Sequence, residues 1–85
     1  MTVEILYFAG VREAIGLSAE TVSPPATVVT VADLIGWLAT RGDGHAAAFA
    51  DPGRIRAAIG TDFADADAPI ADAREIALFP PVTGG

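Results

Sequence analysis

The residues that could do chemistry lie at positions 80–85, where the sequence reads Pro-Pro-Val-Thr-Gly-Gly. Two prolines cannot donate to a sheet, and they favour an extended course. Gly84 and Gly85 carry no Cβ, so they can enter a channel too narrow for side chains. At ~3.3 Å per residue the segment reaches about 20 Å, far enough to place a terminal carboxylate in another protein's active site. The alternative is an ordinary frayed terminus, which many chains have.

The rest of the sequence offers few groups for catalysis. It contains no cysteine, which excludes disulfides, a thiolate nucleophile and cysteine-based metal sites. Its one histidine, His45, excludes a histidine cluster within the chain, and a surface or capping role is favoured over metal ligation. The acidic residues near the predicted turns lack the fixed spacing of a calcium loop. We therefore expect no metal site in this chain.

Length and charge narrow the classes of partner. A chain of 85 residues makes one domain with one modest core. Five basic residues against eleven acidic ones give a net charge of −6, which disfavours binding to nucleic acid. No apolar run is long enough to span a membrane, and no secretory signal is recognisable. We therefore expect no membrane partner and a cytoplasmic location.

The hydrophobic pattern predicts the elements that position the terminal segment. Alternating apolar and β-branched residues predict strands over residues 3–8, 19–22, 54–59 and 75–79. Apolar residues at helical spacing predict the main helix over residues 31–40. The order strand, strand, helix, strand, strand predicts an α+β fold, with a mixed sheet covered on one face by a helix.

Local signals mark the ends of the helices. Thr30 and Asp33 have the spacing of a capping box at the start of the main helix. Arg41 in a last turn, followed by Gly42, predicts where that helix ends. Shorter helical stretches are predicted over residues 11–15 and 45–50.

A compact α+β domain that ends in Gly-Gly resembles the β-grasp, ubiquitin-like sulfur carriers. Within them, residues 77–85 (Ala-Leu-Phe-Pro-Pro-Val-Thr-Gly-Gly) are similar to the tail of the small subunits of molybdopterin synthases. Residues 6–13 (Leu-Tyr-Phe-Ala-Gly-Val-Arg-Glu) are similar to that family's first strand and following turn. The sequence departs from the family at Gly60, where Asn is common, and at Ala73-Arg74, where Gly-Asp is frequent. The resemblance implies a β-grasp domain over residues 1–79 and an extended tail over residues 80–85.

The resemblance also implies a carrier that is inactive alone. An ATP-dependent activating enzyme would adenylate Gly85, and sulfur from a persulfide donor would convert it to a thiocarboxylate. In a heterotetramer with the large synthase subunit, that group would attack cyclic pyranopterin monophosphate, and two carriers would supply the two dithiolene sulfurs. The chain itself would bind no cofactor, because the large subunit holds most of the pterin precursor. The residues that would enter the partner's active site with Gly85 are Pro80, Pro81, Val82, Thr83 and Gly84.

Four side chains are candidates for the partner interface. The outward faces of the first and last strands end in Phe8 and Phe79, and Phe63 follows the third strand. Grouped exposed aromatics usually mark a partner surface, although any of the three could instead fill the core. In the resembled family, hydrophobic residues at these positions contact both the large subunit and the activating enzyme. Arg12 matches a family arginine near that interface, and the alternative for it is a solvated surface residue.

Three other functions remain open at this point. The chain could be a Gly-Gly carrier for thiazole synthesis, cysteine synthesis or tRNA thiolation, although the Phe-Pro-Pro-Val-Thr run favours molybdopterin synthase. It could be a ubiquitin-like modifier joined through Gly85 to lysines of target proteins, which isopeptide-linked conjugates would reveal. It could also be a plain interaction domain, for which deletion of Gly84 and Gly85 would be harmless.

Overall fold

Five strands and three helices make up the part of the chain that the computed structural model describes, residues 2–81. The strands are β1 (Val3–Tyr7), β2 (Ala19–Val22), β3 (Arg56–Ile59), β4 (Asp62–Ala64) and β5 (Glu75–Phe79). The helices are α1 (Ala9–Ile15), α2 (Val31–Leu38) and α3 (Asp43–Ala48), followed by a 3-10 turn, Pro52–Arg54.

The strands form one mixed sheet in the order β2-β1-β5-β3-β4. The central strands β1 and β5 run parallel, with Ile5 opposite Ile76 and Tyr7 opposite Leu78. The other three pairings are antiparallel. The predicted α+β class, a mixed sheet with a helix on one face, is therefore confirmed.

The core lies between one face of this sheet and the helices. Alternation directs Val3, Ile5 and Tyr7 of β1 to that face, where all three are buried. Helix α2 covers them with the apolar stripe predicted from its spacing, whose members Val31, Leu34, Ile35 and Leu38 are all buried. Burial of each large aliphatic side chain stabilises the fold by about 1.5–3 kcal/mol, which fixes the sheet face that carries the helices.

Helix α2 begins where its cap predicts. The Thr30 hydroxyl accepts a hydrogen bond from the Asp33 amide (3.1 Å), and the Asp33 carboxylate accepts one from the Thr30 amide (3.2 Å). The backbone amides of Val29 and Thr30 donate to this carboxylate and hold the pKa of Asp33 below its usual value. The capping box is confirmed.

The predicted end of α2 is wrong. The helix stops at Leu38, because the amides of Thr40 and Arg41 bond three residues back, to the carbonyls of Trp37 and Leu38. Gly42 does not end α2; it is the residue that precedes α3.

Other differences from the predictions are local. Strand β3 begins at Arg56, two residues late, because Arg54 lies in the 3-10 turn and its amide bonds to the Asp51 carbonyl. Strand β4 was missed, since three residues are too few for alternation to be recognised. Gly60 joins β3 to β4 with φ of 62°, in the left-handed region that Gly and Asn both tolerate. Glycine therefore satisfies the same backbone requirement as the Asn that is common at this turn.

Helices α1 and α3 pack closely on one another. A Cβ added to Gly44 of α3 would lie 2.6 Å from the carbonyl oxygen of Ala14 in α1, so this contact requires glycine.

Helix α1 begins two residues before the predicted stretch and α3 covers residues 43–48 instead of 45–50. Between residues 2 and 81, none of the helices has the length and apolar character needed to cross a membrane.

The first prediction concerns Gly36 in the middle of α2. An added Cβ there meets no atom within 4 Å, so Gly36→Ala should raise the free energy of unfolding by about 0.5–1 kcal/mol through reduced backbone entropy of the unfolded chain. Urea unfolding of both proteins measures the change. Gly44→Ala is the matched control and should lower stability, because its Cβ would overlap α1. Destabilisation by Gly36→Ala would contradict this account of α2.

Candidate functional site

The terminal segment leaves the fold beside α1 and α3. After β5 ends at Phe79, Pro80 and Pro81 (together the tail root) are partly buried and line a cavity of about 470 Å³. The other residues that line this cavity are Gly10, Val11, Ala47, Ala48, Ala50, Asp51, Arg54 and Ile55. Small side chains on α3 leave this space open, and its ionisable groups are Asp51 and Arg54.

The predicted reactive terminus lies beyond the part of the chain that the structure describes. Val82, Thr83, Gly84 and Gly85 are outside residues 2–81. Their predicted roles therefore stay predictions, as does the division into residues 1–79 and 80–85. The structure places Pro80 and Pro81 at the edge of the sheet where β5 ends.

The sheet face opposite the helices carries one row of apolar side chains. Leu6 of β1 lies opposite Ala77 of β5, which lies opposite Ala58 of β3. The antiparallel partners at each end are Ala19 of β2 and Phe63 of β4. We call Ala19, Leu6, Ala77, Ala58 and Phe63 the apolar row. It crosses all five strands, and such a surface is typical of a protein interface.

Two of the predicted interface aromatics meet at one end of this row. The ring centroids of Phe63 and Phe79 lie 6.1 Å apart at a tilted angle, and Phe63 is 86% exposed. Phe8 is 46% exposed and its amide donates to the Leu78 carbonyl, so it lies beside the end of β5. No ring pair found within residues 2–81 includes Phe8. We call Phe8, Phe63 and Phe79 the aromatic patch.

Arg12 and Ala9 lie directly after Phe8. Arg12 is exposed on α1, and its amide bonds to the Phe8 carbonyl one turn earlier.

Ala9 has φ of 51°, which makes it the one non-glycine residue in the left-handed region within the described range. A side chain there costs about 1–2 kcal/mol, and such strain clusters at functional sites. The sharp turn lets the chain pass from β1 into α1 while Phe8 stays at the surface.

His45 does not have the surface role that the sequence suggested, because its side chain contacts a carboxylate and is only 13% exposed. Its Nε2 shares a hydrogen bond of 2.5 Å with Oε2 of Glu20, and the Tyr7 hydroxyl donates to the same oxygen at 2.6 Å. Arg41 pairs with the other oxygen at 3.5 Å. We call Tyr7, Glu20, Arg41 and His45 the Glu20 cluster.

The environment of this cluster fixes the charge states of Glu20 and Tyr7. Burial would raise the pKa of Glu20, but hydrogen bonds from His45 and Tyr7 and the charges of His45 and Arg41 outweigh it and lower that pKa. Burial, the hydrogen bond to Glu20 and the charge of Glu20 raise the pKa of the Tyr7 hydroxyl far above its usual range. Tyr7 therefore stays a donor and Glu20 an acceptor.

The Glu20 cluster joins α3 to the edge of the sheet. The cluster was not predicted from the sequence, although alternation along β2 places Glu20 on the same side as buried Val22. The cluster lies on the helix side of the sheet, and the apolar row lies on the other side. Across residues 2–81, no group of three or more His, Asp or Glu side chains is placed to hold a metal ion.

The chain is similar to known proteins along nearly its whole length, including the terminal segment. Residues 5–85 match the family model described as the ThiS family. The chain is 40% identical over 83 residues to the molybdopterin synthase sulfur carrier subunit of Escherichia coli (strain K12), an alignment that covers 98% of this chain and 99% of that protein.

Solved structures have the same fold along the whole length. SAMP1 from Haloferax volcanii superimposes with a TM-score of 0.72 and 26% identity, with all of both chains covered. A chain in the complex of subunits 1 and 2 of molybdopterin-converting factor from Helicobacter pylori 26695 superimposes with a TM-score of 0.63 and 23% identity, again with all of both chains covered. The predicted β-grasp fold is confirmed.

The second prediction concerns the charge of Glu20. Its pKa is lowered by folding, so its stabilising effect is present above the usual carboxyl range and is lost as the pH falls through the folded-state pKa. Glu20→Gln should lower the free energy of unfolding by about 1–3 kcal/mol at neutral pH, and by less near pH 3. Urea unfolding at both pH values, followed by the fluorescence of Trp37, measures this.

Trp37 suits this measurement because it is the sole tryptophan and the Arg41 guanidinium lies 5.1 Å from its ring centre. Glu13→Gln, at an exposed carboxylate on α1, is the matched control and should change stability by less than about 0.5 kcal/mol. Equal stability of Glu20→Gln and the wild type at neutral pH would disprove the role of the cluster.

Proposed function

The chain belongs to the ThiS family, and on that basis we propose that it is the sulfur-carrier subunit of a molybdopterin synthase. The observation that carries this proposal is the 40% identity to the Escherichia coli sulfur carrier subunit over nearly the full length of both proteins. The β-grasp domain over residues 1–79 serves to present residues 80–85, and Gly85 carries the reactive carboxylate.

The proposed chemistry begins with activation of Gly85. A carboxylate is a poor electrophile, so an activating enzyme uses ATP to form an acyl-adenylate with release of pyrophosphate, and AMP is then the leaving group of the next step. The outer sulfur of a persulfide donor then displaces AMP to give an acyl disulfide, and a thiol of the donor protein reduces the S–S bond, which leaves Gly85 as a thiocarboxylate and the donor as a disulfide. A thiocarboxylate is a far better nucleophile than a carboxylate, and the chain has no cysteine that could compete with it.

The proposed second step takes place in the large synthase subunit. That subunit supplies the groups that bind the pterin precursor and transfer protons, and the Gly85 thiocarboxylate attacks the precursor, cyclic pyranopterin monophosphate. Two carriers deliver the two dithiolene sulfurs in a heterotetramer of two small and two large subunits, located in the cytoplasm. Pro80, Pro81, Val82, Thr83 and Gly84 lead Gly85 into the partner's active site.

The apolar row and the aromatic patch form the proposed docking surface for both partners. The apolar row lies on the sheet face opposite the helices, and the aromatic patch lies at the end of the sheet where β1 leads into α1 and β5 leads into the tail root. A large exposed aromatic at the end of an apolar row is the type of residue that contributes most to binding energy. Arg12, exposed one turn after Phe8, adds a positive charge at the border of this surface.

A ubiquitin-like modifier is the second candidate, because the small archaeal modifier protein 1 of Haloferax volcanii has the same fold at 27% identity. In that case Gly85 would form isopeptide bonds with lysines of target proteins. Conjugates of higher mass in a cell lysate, abolished by deletion of Gly85, would support the modifier. A carrier for thiazole, cysteine or tRNA thiolation would form the thiocarboxylate but would bind a different large partner.

The third prediction tests the carrier chemistry directly. After incubation with its activating enzyme, ATP and a sulfide source, the intact protein should gain the mass difference between one sulfur and one oxygen atom, located at Gly85. Deletion of Gly85 is the control and should abolish the change without altering the circular dichroism spectrum. A terminus that stays a plain carboxylate under these conditions would exclude the sulfur-carrier function.

The fourth prediction tests the docking surface. Phe63→Asp should weaken binding to the large subunit by about tenfold or more, because it removes an exposed aromatic from the end of the apolar row. Isothermal titration calorimetry measures the affinity. Leu17→Asp is the matched control, since Leu17 is an exposed hydrophobic residue (45%) between α1 and β2 and lies outside the apolar row. Equal affinities of the two variants would exclude the proposed surface.

A further inference from the structure

We propose that Arg54 and Arg56, the tail-root arginines, place positive charge beside the tail root without offering an amine that could attack an activated Gly85. This inference rests on the proposed function, because only an activated terminus is at risk from its own chain. It assigns both arginines a role in keeping the activated carrier intact until its partner reacts with it.

The structure places both residues close to the tail root. Arg54 lines the same cavity as Pro80 and Pro81. Arg56 lies opposite Phe79 in the antiparallel pair β3–β5, and its Nη1 donates to the carbonyls of Gly53 (3.0 Å) and Ile55 (3.4 Å). Both residues are exposed. A lysine at position 54 would therefore line the cavity of the tail root, and a lysine at position 56 would start from a backbone position opposite the last residue of β5.

The terminal carbonyl can reach this region. Four residues follow Pro81, and at ~3.3 Å per residue they extend about 13 Å. Groups joined by so short a connection meet at an effective concentration in the millimolar range or above. An amine beside the tail root would thus compete with any partner present at a lower concentration.

The chemical difference between arginine and lysine decides whether the side chain attacks an activated Gly85. An activated carbonyl reacts with a neutral amine to give a stable amide. The lysine amine loses its proton readily enough to react in this way, whereas the guanidinium stays protonated and is a poor nucleophile. Lysine at either position would keep the charge and add the nucleophile.

Positive charge beside the tail root also offsets the negative net charge of the chain. The chain carries a net charge of −6, so it repels the phosphates of the ATP that must react with Gly85. Arg54 and Arg56 counter this repulsion close to the tail root. All five basic residues of the sequence are arginines, so the charge is supplied throughout without a side-chain amine.

The test uses a thioester at Gly85, made by cleavage of an intein fusion with a small thiol, so that no activating enzyme is needed. In Arg54→Lys or Arg56→Lys, the lysine nitrogen would attack the Gly85 carbonyl. The new C–N bond forms, the C–S bond breaks, the thiol leaves, and the ammonium proton passes to solvent. Intact mass and tandem mass spectrometry then follow the cyclic amide and locate the bond.

Arg74→Lys is the matched control. Arg74 is exposed just before β5, about 20 Å from Pro81 along the strand, so its lysine would lie beyond easy reach of Gly85. Cyclic amide should form at least about tenfold faster in Arg54→Lys and Arg56→Lys than in Arg74→Lys, and the wild type should only hydrolyse. Matching circular dichroism spectra establish that the variants are folded.

Two results would overturn the inference: equal amide formation in all three lysine variants, or self-acylation of the wild type as fast as that of Arg54→Lys. The proposed function is judged separately, by formation of the thiocarboxylate on the wild-type chain. Cyclisation of the lysine variants without thiocarboxylate formation would refute the carrier function and leave the reactivity of the tail root established.

Discussion

The parallel pairing of β1 and β5 at the centre of the sheet is the constraint on which the remaining structure depends. Parallel strands end at the same edge, so Phe8, where β1 passes into α1, lies next to Phe79, where β5 leads into the tail root. The pairing is fixed by buried side chains such as Ile5 and Ile76 on the helix side. A shift of one residue would turn these side chains to the other face of the sheet, and with them the apolar row.

Local signals in the sequence were enough to predict the main elements of this fold. Strand β5 was predicted with its observed bounds, and the capping box of Thr30 and Asp33 fixed the start of α2, because strand alternation and helix caps depend on near neighbours. The predicted end of α2 was wrong and strand β4 was not predicted, since a tight last turn and a three-residue strand depend on tertiary contacts. Phe63 was recognised as a surface aromatic, and its pairing with Phe79 follows from β4.

The Glu20 cluster illustrates what sequence reasoning could not supply. His45 comes from α3, Glu20 from an edge strand and Tyr7 from a central strand, so no short-range pattern relates them. Their contact stabilises the helix side of the sheet, and the surface assigned to partners lies on the opposite side. In a chain of this size, side chains on the helix side of the sheet can therefore serve folding, while side chains on the opposite face serve recognition.

The short edge strands have a consequence for the protein at high concentration. A long exposed edge would allow copies to add strand to strand and aggregate. Here β4 has three residues, and β2 has four and is followed by Ser23-Pro24-Pro25, whose prolines have no amide proton to donate. Together with a strongly negative net charge, these short edges disfavour the addition of one copy to another, strand to strand.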